Sequence, residues 1–431
     1  MRVDINLTEE RSVFGCVIFD DVNEPSSGWA SKKGRFAKRI RTIGDLDSDV
    51  VWVSNLNWQQ LFQNNLHRNP KIKRENFFRL EMLQLASELG LKPSEQPKKA
   101  VEVMSEIFDR TMMFSENYYG RLPIRDSLKN TIDSYFFNDE VKELMRMPES
   151  IRNFMEQAFL AYQGCFGKKP ENAIIAKFRY SRSNYADNLL KFPYPVGDWT
   201  LYKGKIPTNQ GEQDYCDKGP VYAFLAELCD SQPALCEITV NSVHVEYADL
   251  LDFGNGSEKR NWVPIHEAAH LAAFSNVIIK RILVAESYQS LEFIDRYTPP
   301  HSGVCGDISA SLGIIAENHW VTLASKRMMK YGNTKISVTP PRAVWYRAWD
   351  RMISMKAAVI FKRYGFHVYS YGLGGVNLAI EKDQIGEALV LAEKLEMTAP
   401  MWVKEMESLD DPSSSSGSCK LENKIEFYSH D

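Results

Sequence analysis

The sequence predicts a mainly α, two-lobed helical protein with a few short strands and hairpins. Three observations carry that expectation. Apolar residues recur at three- and four-residue spacing through most of the long segments, strand-like runs are short, and Pro193, Pro195, Pro207 and several glycines make 192–220 irregular. The 431 residues are 44% hydrophobic and 25% charged, enough to bury two cores. The expected organisation is an N-terminal lobe over 1–205, a C-terminal lobe over 206–407 and a flexible tail over 408–431, which opens on the linker-like SLDDPSSSSGS.

Taken in order, SVFGCVIF at 12–19 and VVWVS at 50–54 read as short buried strands. Helices follow near 75–91, 98–114, 125–145 and 149–163, where the apolar spacing fits one amphipathic face. CEITVNSVHVEY at 236–247 reads as a strand and 264–287 as a helix. Asp307 or Ser309 can cap a helix over 309–330 that Gly332 and Asn333 end, and Pro340-Pro341 opens another over 341–364 that Gly365 closes. Along the second, Trp345, Ala348, Trp349, Met352, Met355 and Val359 form an apolar stripe, with Arg347 and Arg351 on another face. FHVYSY and VNLAI flank GLGG and predict a hairpin over 366–380.

Charge is segregated along the chain. Between Lys326 and Arg363 ten bases accompany one acid, Asp350, so this window is +9 in a chain of −4 and the remainder carries −13. The bases include Lys326, Arg327, Lys330, Lys335, Arg342, Arg347, Arg351 and Lys356. Smaller clusters hold Lys38, Arg39 and Arg41 within SKKGRFAKRIR, and Arg68, Lys71, Lys73 and Arg74 within HRNPKIKR. KFRYSRSNY interleaves Lys177, Arg179 and Arg182 with Phe178, Tyr180 and Tyr185. Lys and Arg neutralise phosphates while rings stack on bases, so this patterning points to a polyanion, above all single-stranded nucleic acid. The bland alternative is a set of solvated helix faces over a core.

Two motifs could carry chemistry. In HEAAH at 266–270, His266 and His270 lie four apart on one helical face and can bind zinc, with Glu267 placed to activate a metal-bound water. Against a metallopeptidase, Pro264 sits where such a helix normally continues upstream, and Glu286, Glu292, Asp295 and His301 compete for the third position. YGLGGVNLAI at 371–380, with a helix on either side, resembles the palm of nucleic-acid polymerases, whose hairpin carries metal-binding aspartates. Leu373, Gly374, Gly375 and Asn377 stand at those positions, so no Mg²⁺ pair can be held there. The sequence has no phosphate-binding GxxxxGK[ST] loop, no GxGxxG after a strand and no GxSxG elbow. Seven cysteines without a CxxC pair suggest a reducing compartment, and no stretch approaches the roughly 20 apolar residues of a membrane span.

The segment SGVCGDISASLGIIAENHWVTLASKRMMKYGNTK at 302–335 resembles part of the C-terminal lobe of nucleoproteins from rhabdoviruses and related negative-strand RNA viruses. That resemblance implies a helical protein that clamps RNA between lobes and polymerises along it, with Lys326, Arg327 and Lys330 on phosphates. The expectation is therefore a cytoplasmic, or virion, homo-oligomer that encapsidates single-stranded RNA, with no catalytic residue and no cofactor. A zinc peptidase built on His266, His270 and Glu267, and a catalytically degenerate palm-like protein, are the alternatives.

Overall fold

A computed structural model describes residues 12–78, 82, 85–86, 89–119, 124–125, 127–133, 144, 146–165, 170–180, 188–189, 191–209, 218–251, 261–290, 306–331, 334–400, 402–404 and 406. The fold is mixed α/β and not mainly α, with four sheets among the described residues. The helices used below are α1 (Trp58–Gln63), α2 (Pro97–Tyr119), α3 (Glu149–Ala158), α4 (Pro220–Ser231), α5 (Ile265–Ala272), α6 (Gly306–Leu323), α7 (Pro341–Arg363) and α8 (Ile385–Lys394).

The described residues fall into two compact units, one from 1–143 with 292–323 and one from 144–291 with 324–431. The chain thus leaves the first unit after residue 143, builds part of the second, and returns over 292–323.

In the first unit, β1 (Val13–Phe19) is the central strand of a mixed sheet. With β2 (Gly28–Lys32), β3 (Lys38–Ile40), β4 (Val50–Ser54) and β5 (Ile72–Lys73) the order is β3-β2-β1-β4-β5. β1 runs antiparallel to β2 and parallel to β4. Alternation sends Phe14, Cys16 and Ile18 to one side, where Ala100, Met104, Ile107 and Phe108 of α2 cover them. Val17 and Phe19 pack on the other side with Trp52, Leu56 and Leu61. Asp109 of α2 accepts a hydrogen bond from Phe14 N at 3.0 Å, which ties the helix to the sheet.

The second unit holds β6 (Tyr162–Gly164), β7 (Ile174–Tyr180), β8 (Tyr194–Leu201), β9 (Ala234–Val243), β10 (Trp262–Pro264) and β11 (Ser275–Gln289). It continues with β12 (Arg327–Tyr331), β13 (Thr334–Val338), β14 (His367–Gly372), β15 (Gly375–Ile380) and β16 (Met397–Thr398). One antiparallel sheet has the order β10-β9-β11-β8 and another β16-β7-β15-β14-β6, while β12 and β13 form a two-stranded sheet. α7 packs on the second of these sheets, where Met355, Ala358, Val359 and Phe361 join Phe178, Val376 and Leu378 in one core. No described helix is long and apolar enough to cross a membrane.

Several expected elements change. The helix foreseen over 264–287 is α5 followed by the long strand β11, because Val277, Ile279, Ile282 and Val284 are buried against β9 and not along one helix face. The helix expected over 309–330 stops at Leu323, and its basic end becomes β12. KFRYSRSNY begins inside β7, whose pairing with β15 commits Ala176 and Phe178 to the core. The hairpin over 366–380, the strand at 50–54 and α7 fall where the sequence placed them.

Candidate functional site

α7 is the axis of the second unit. Pro341 opens it at the first helical position, and Gly365, in the left-handed region at φ 87°, releases the chain into β14. The helix was expected to keep one face for a partner, but Arg347, Asp350, Arg351 and Ser354 are buried along with Val344, Trp345, Ala348 and Met355. Arg347, Asp350 and Arg351 therefore bond inside the protein.

Asp350 determines the shape of the hairpin turn. Its carboxylate accepts from Leu373 N at 2.6 Å and from Gly374 N at 2.9 Å, which satisfies two amides the ladder leaves unpaired. Three successive residues, Gly372, Leu373 and Gly374, lie at positive φ of 115°, 54° and 78°. At Gly375 a Cβ would stand 2.0 Å from Phe178 O, so only glycine lets β15 approach β7 there. Arg347 stands 3.8 Å from the Asp350 carboxylate and donates from Nε to Ala324 O at 2.9 Å. Lys177 of β7 reaches over the turn and donates to Leu373 O at 3.1 Å. Arg179 pairs across the ladder with Gly375, and Tyr162 with Gly372, so all of these residues gather at one end of the sheet. Tyr162 is 53% exposed and Leu373 39%.

This end of the sheet has the helix, hairpin and helix layout expected of a palm, with carboxylates absent from the turn itself. The acid that reaches it is engaged by two amides and faces Arg347. Among the described residues no three His, Cys, Asp or Glu side chains are grouped to hold a metal ion. Asn377 donates to Ser370 Oγ at 2.7 Å and serves the hairpin.

HEAAH forms α5, and Pro264 precedes its first residue, as proline requires. His266 stacks on Trp349 at 4.2 Å, and Trp349 on Phe192 at 3.8 Å. Glu267 takes a two-pronged ion pair from Arg351, with Nε to Oε1 at 3.0 Å and Nη2 to Oε2 at 2.6 Å. Arg351 also donates to Leu160 O. Burial holds both imidazoles neutral, pushing His266 down to about 3 and His270 to about 4. Glu267, which a zinc peptidase would use as base for a metal-bound water, is paired here with Arg351. Glu286 sits instead over Gly197, and Glu292, Asp295 and His301 lie outside the described residues.

The basic residues expected to line an RNA groove are dispersed. Lys326 is bonded to Glu156 and lies over the Phe159 ring. Arg327 is 1% exposed, and burial together with the charge of Arg342 pushes it down to about 9. Lys330 and Lys335 are register partners in the β12–β13 hairpin, and Lys356 is exposed on α7. Arg39 pairs with Asp20 at 2.5 Å and Lys38 with Asp47 at 3.6 Å, while Arg41 is exposed. Arg182 lies outside the described residues. Among the described residues expected to bind, Lys177 and Arg179 of β7 come to the turn, and buried Arg347 stands behind it beside Asp350. Asp350, Leu373 and Tyr162 were not foreseen as site residues; GLGG signalled the turn, but nothing local paired it with an acid 23 residues upstream.

No family model matches the chain, and no curated protein does. Among solved structures the chain is similar to Phi29 DNA polymerase complexed with primer-template DNA and incoming nucleotides. Identity is 11%, the match spans 86% of this chain and 81% of that one, and the TM-score is 0.42. The orthorhombic crystal form of Phi29 DNA polymerase matches at 12% identity over 86% and 81%, with a TM-score of 0.43. The likeness assigns no residue of this chain a role. These structures are of a polymerase and not of the nucleoproteins that 302–335 resembled. That segment does not run through one helix into exposed arginines but ends α6 and enters β12, with Arg327 buried. The reading as an RNA-encapsidating, nucleocapsid-forming nucleoprotein is corrected accordingly.

Proposed function

We propose that the protein is a palm-like nucleic-acid-binding protein that performs no metal-dependent nucleotide transfer at its hairpin. The observation that carries this reading is the exchange of charge at the turn. Asp350 is buried against the Leu373 and Gly374 amides, and the side chain that reaches over the turn from β7 is a lysine. A two-metal site needs carboxylates facing the substrate. A cation there meets phosphate directly and needs no metal between them. Arg179 and Tyr162 add a second charge and an exposed ring at the same end.

Fluorescence anisotropy with a labelled primer-template DNA and a labelled single strand tests binding, and primer extension with Mg²⁺ and nucleotides tests chemistry. Phi29 DNA polymerase was solved with both kinds of DNA, so the pair of probes covers what that protein binds. Binding that weakens steeply as salt rises from about 50 to 200 mM is expected, with no extension product. The double variant K177E/R179E should lose about tenfold or more in affinity. Extension in Mg²⁺, or affinity indifferent to that double variant, would overturn the proposal.

A further inference from the structure

Leu373 stands at the tip of the hairpin in a conformation that an L side chain adopts at an energetic cost. Glycine would relieve it, and glycine occupies both neighbouring positions, yet not this one. The strained backbone is held from three directions. Asp350 takes the Leu373 amide and the next, and Lys177 donates to the Leu373 carbonyl. With its main chain fixed, the residue presents an aliphatic side chain that is 39% exposed, on a carbonyl held by Lys177 and one residue past Gly372, the register partner of Tyr162.

We infer that Leu373 is an apolar wedge that enters the minor groove of duplex nucleic acid and makes this site favour duplex over single strand. The inference rests on the reading of the turn as a nucleic-acid site. Rigid apolar side chains lodge against base steps and sugar edges in a minor groove, with phosphates rimming it for flanking cations. A leucine has no π-face on which an unpaired base can stack, so it adds little to single-strand binding. Lys177, already directed at the tip, is placed for a rim phosphate. Tyr162 offers its ring to either form.

The test uses the full chain, with anisotropy on a labelled duplex of about 20 base pairs and on the matching single strand, which allows the site to be filled in either form. Two variants are compared with wild type. L373G removes the side chain and relieves the strain, and L373N keeps a residue that tolerates positive φ while removing the apolar surface. Both should lower duplex affinity about tenfold and leave single-strand affinity within about twofold, and L373G should raise the thermal midpoint. Equal losses on the two probes, or no loss on duplex, overturn the wedge while the binding site stands. A lowered midpoint for L373G overturns the strained turn on which it depends. Failure of wild type to bind either probe overturns the site itself, and the wedge with it.

Discussion

Asp350 and Arg351 are adjacent in sequence, point to different parts of the second unit, and have opposite structural tasks. Asp350 closes the hairpin turn, with no exposure of its side chain to solvent. Asn in its place has one carbonyl for two amides and leaves Arg347 facing a neutral group. D350N should therefore lose about 3 kcal/mol of stability in urea or guanidinium titrations, without change in the buried area that sets the slope. Arg351 joins α7 to α5 through Glu267, both side chains being almost fully buried. E267Q should cost about 3–5 kcal/mol, because it strands a buried guanidinium. The double variant E267L/R351M removes both charges and should cost only about 1–2 kcal/mol, chiefly for the Leu160 carbonyl left behind. A double-mutant cycle by chemical denaturation measures the difference, and equal costs for single and double variants would refute this account of the pair.

The seam between α5 and α7 also makes stability depend on pH. His266 and His270 carry folded-state values of about 3 and 4 against an ordinary value of 6.5, with burial the largest cause for both. Below pH 6.5 the unfolded chain takes up protons that the fold excludes, so stability is fully present above that pH and falls as pH drops toward the folded-state values. Each titrating histidine contributes a slope of about 1.4 kcal/mol per pH unit. H266F keeps a ring to stack on Trp349 and removes one of the two groups. Urea midpoints measured from pH 7 to pH 5 should fall less steeply for H266F than for wild type, and parallel curves would show that another group dominates. At this scale the sequence was legible where periodicity and punctuation agreed, as in α7 and the β14–β15 hairpin. It was misleading across 264–287, where a short helix and a long strand share one apolar run. There the partner strand β9, about 40 residues upstream in the chain, selects the extended form.

Across the whole molecule, the +9 window between Lys326 and Arg363 is met by acids far away in sequence. Glu156 answers Lys326, Glu267 answers Arg351, Glu246 answers Arg363 and Asp249 answers Lys362. Part of the +9 here is therefore met by ion pairs within the second unit, of which Arg351 with Glu267 is buried and the others reach solvent. In the first unit Arg39 is likewise held by Asp20, which also takes a hydrogen bond from Ser27 and is kept below the ordinary carboxylate range. R39E is expected to leave nucleic-acid affinity within about twofold, whereas K177E/R179E reduces it, and anisotropy at matched salt compares the two. A loss with R39E comparable to that of K177E/R179E would place binding on the first unit as well.

The sequence by itself determined α7, the glycine-rich hairpin, the strands at 13–19 and 50–54, and the absence of carboxylates at the turn. These follow from propensity, capping and residue identity within a few positions of one another. Only the tertiary structure decided that Arg347 and Arg351 face inward, that Glu267 belongs to an arginine and not to a zinc water, and that Lys177 meets Leu373 across 196 residues. A charge count along the chain cannot distinguish a solvated face from a buried pair. The energy of a buried charge depends on its partner, and long-range sheet pairing brings that partner near.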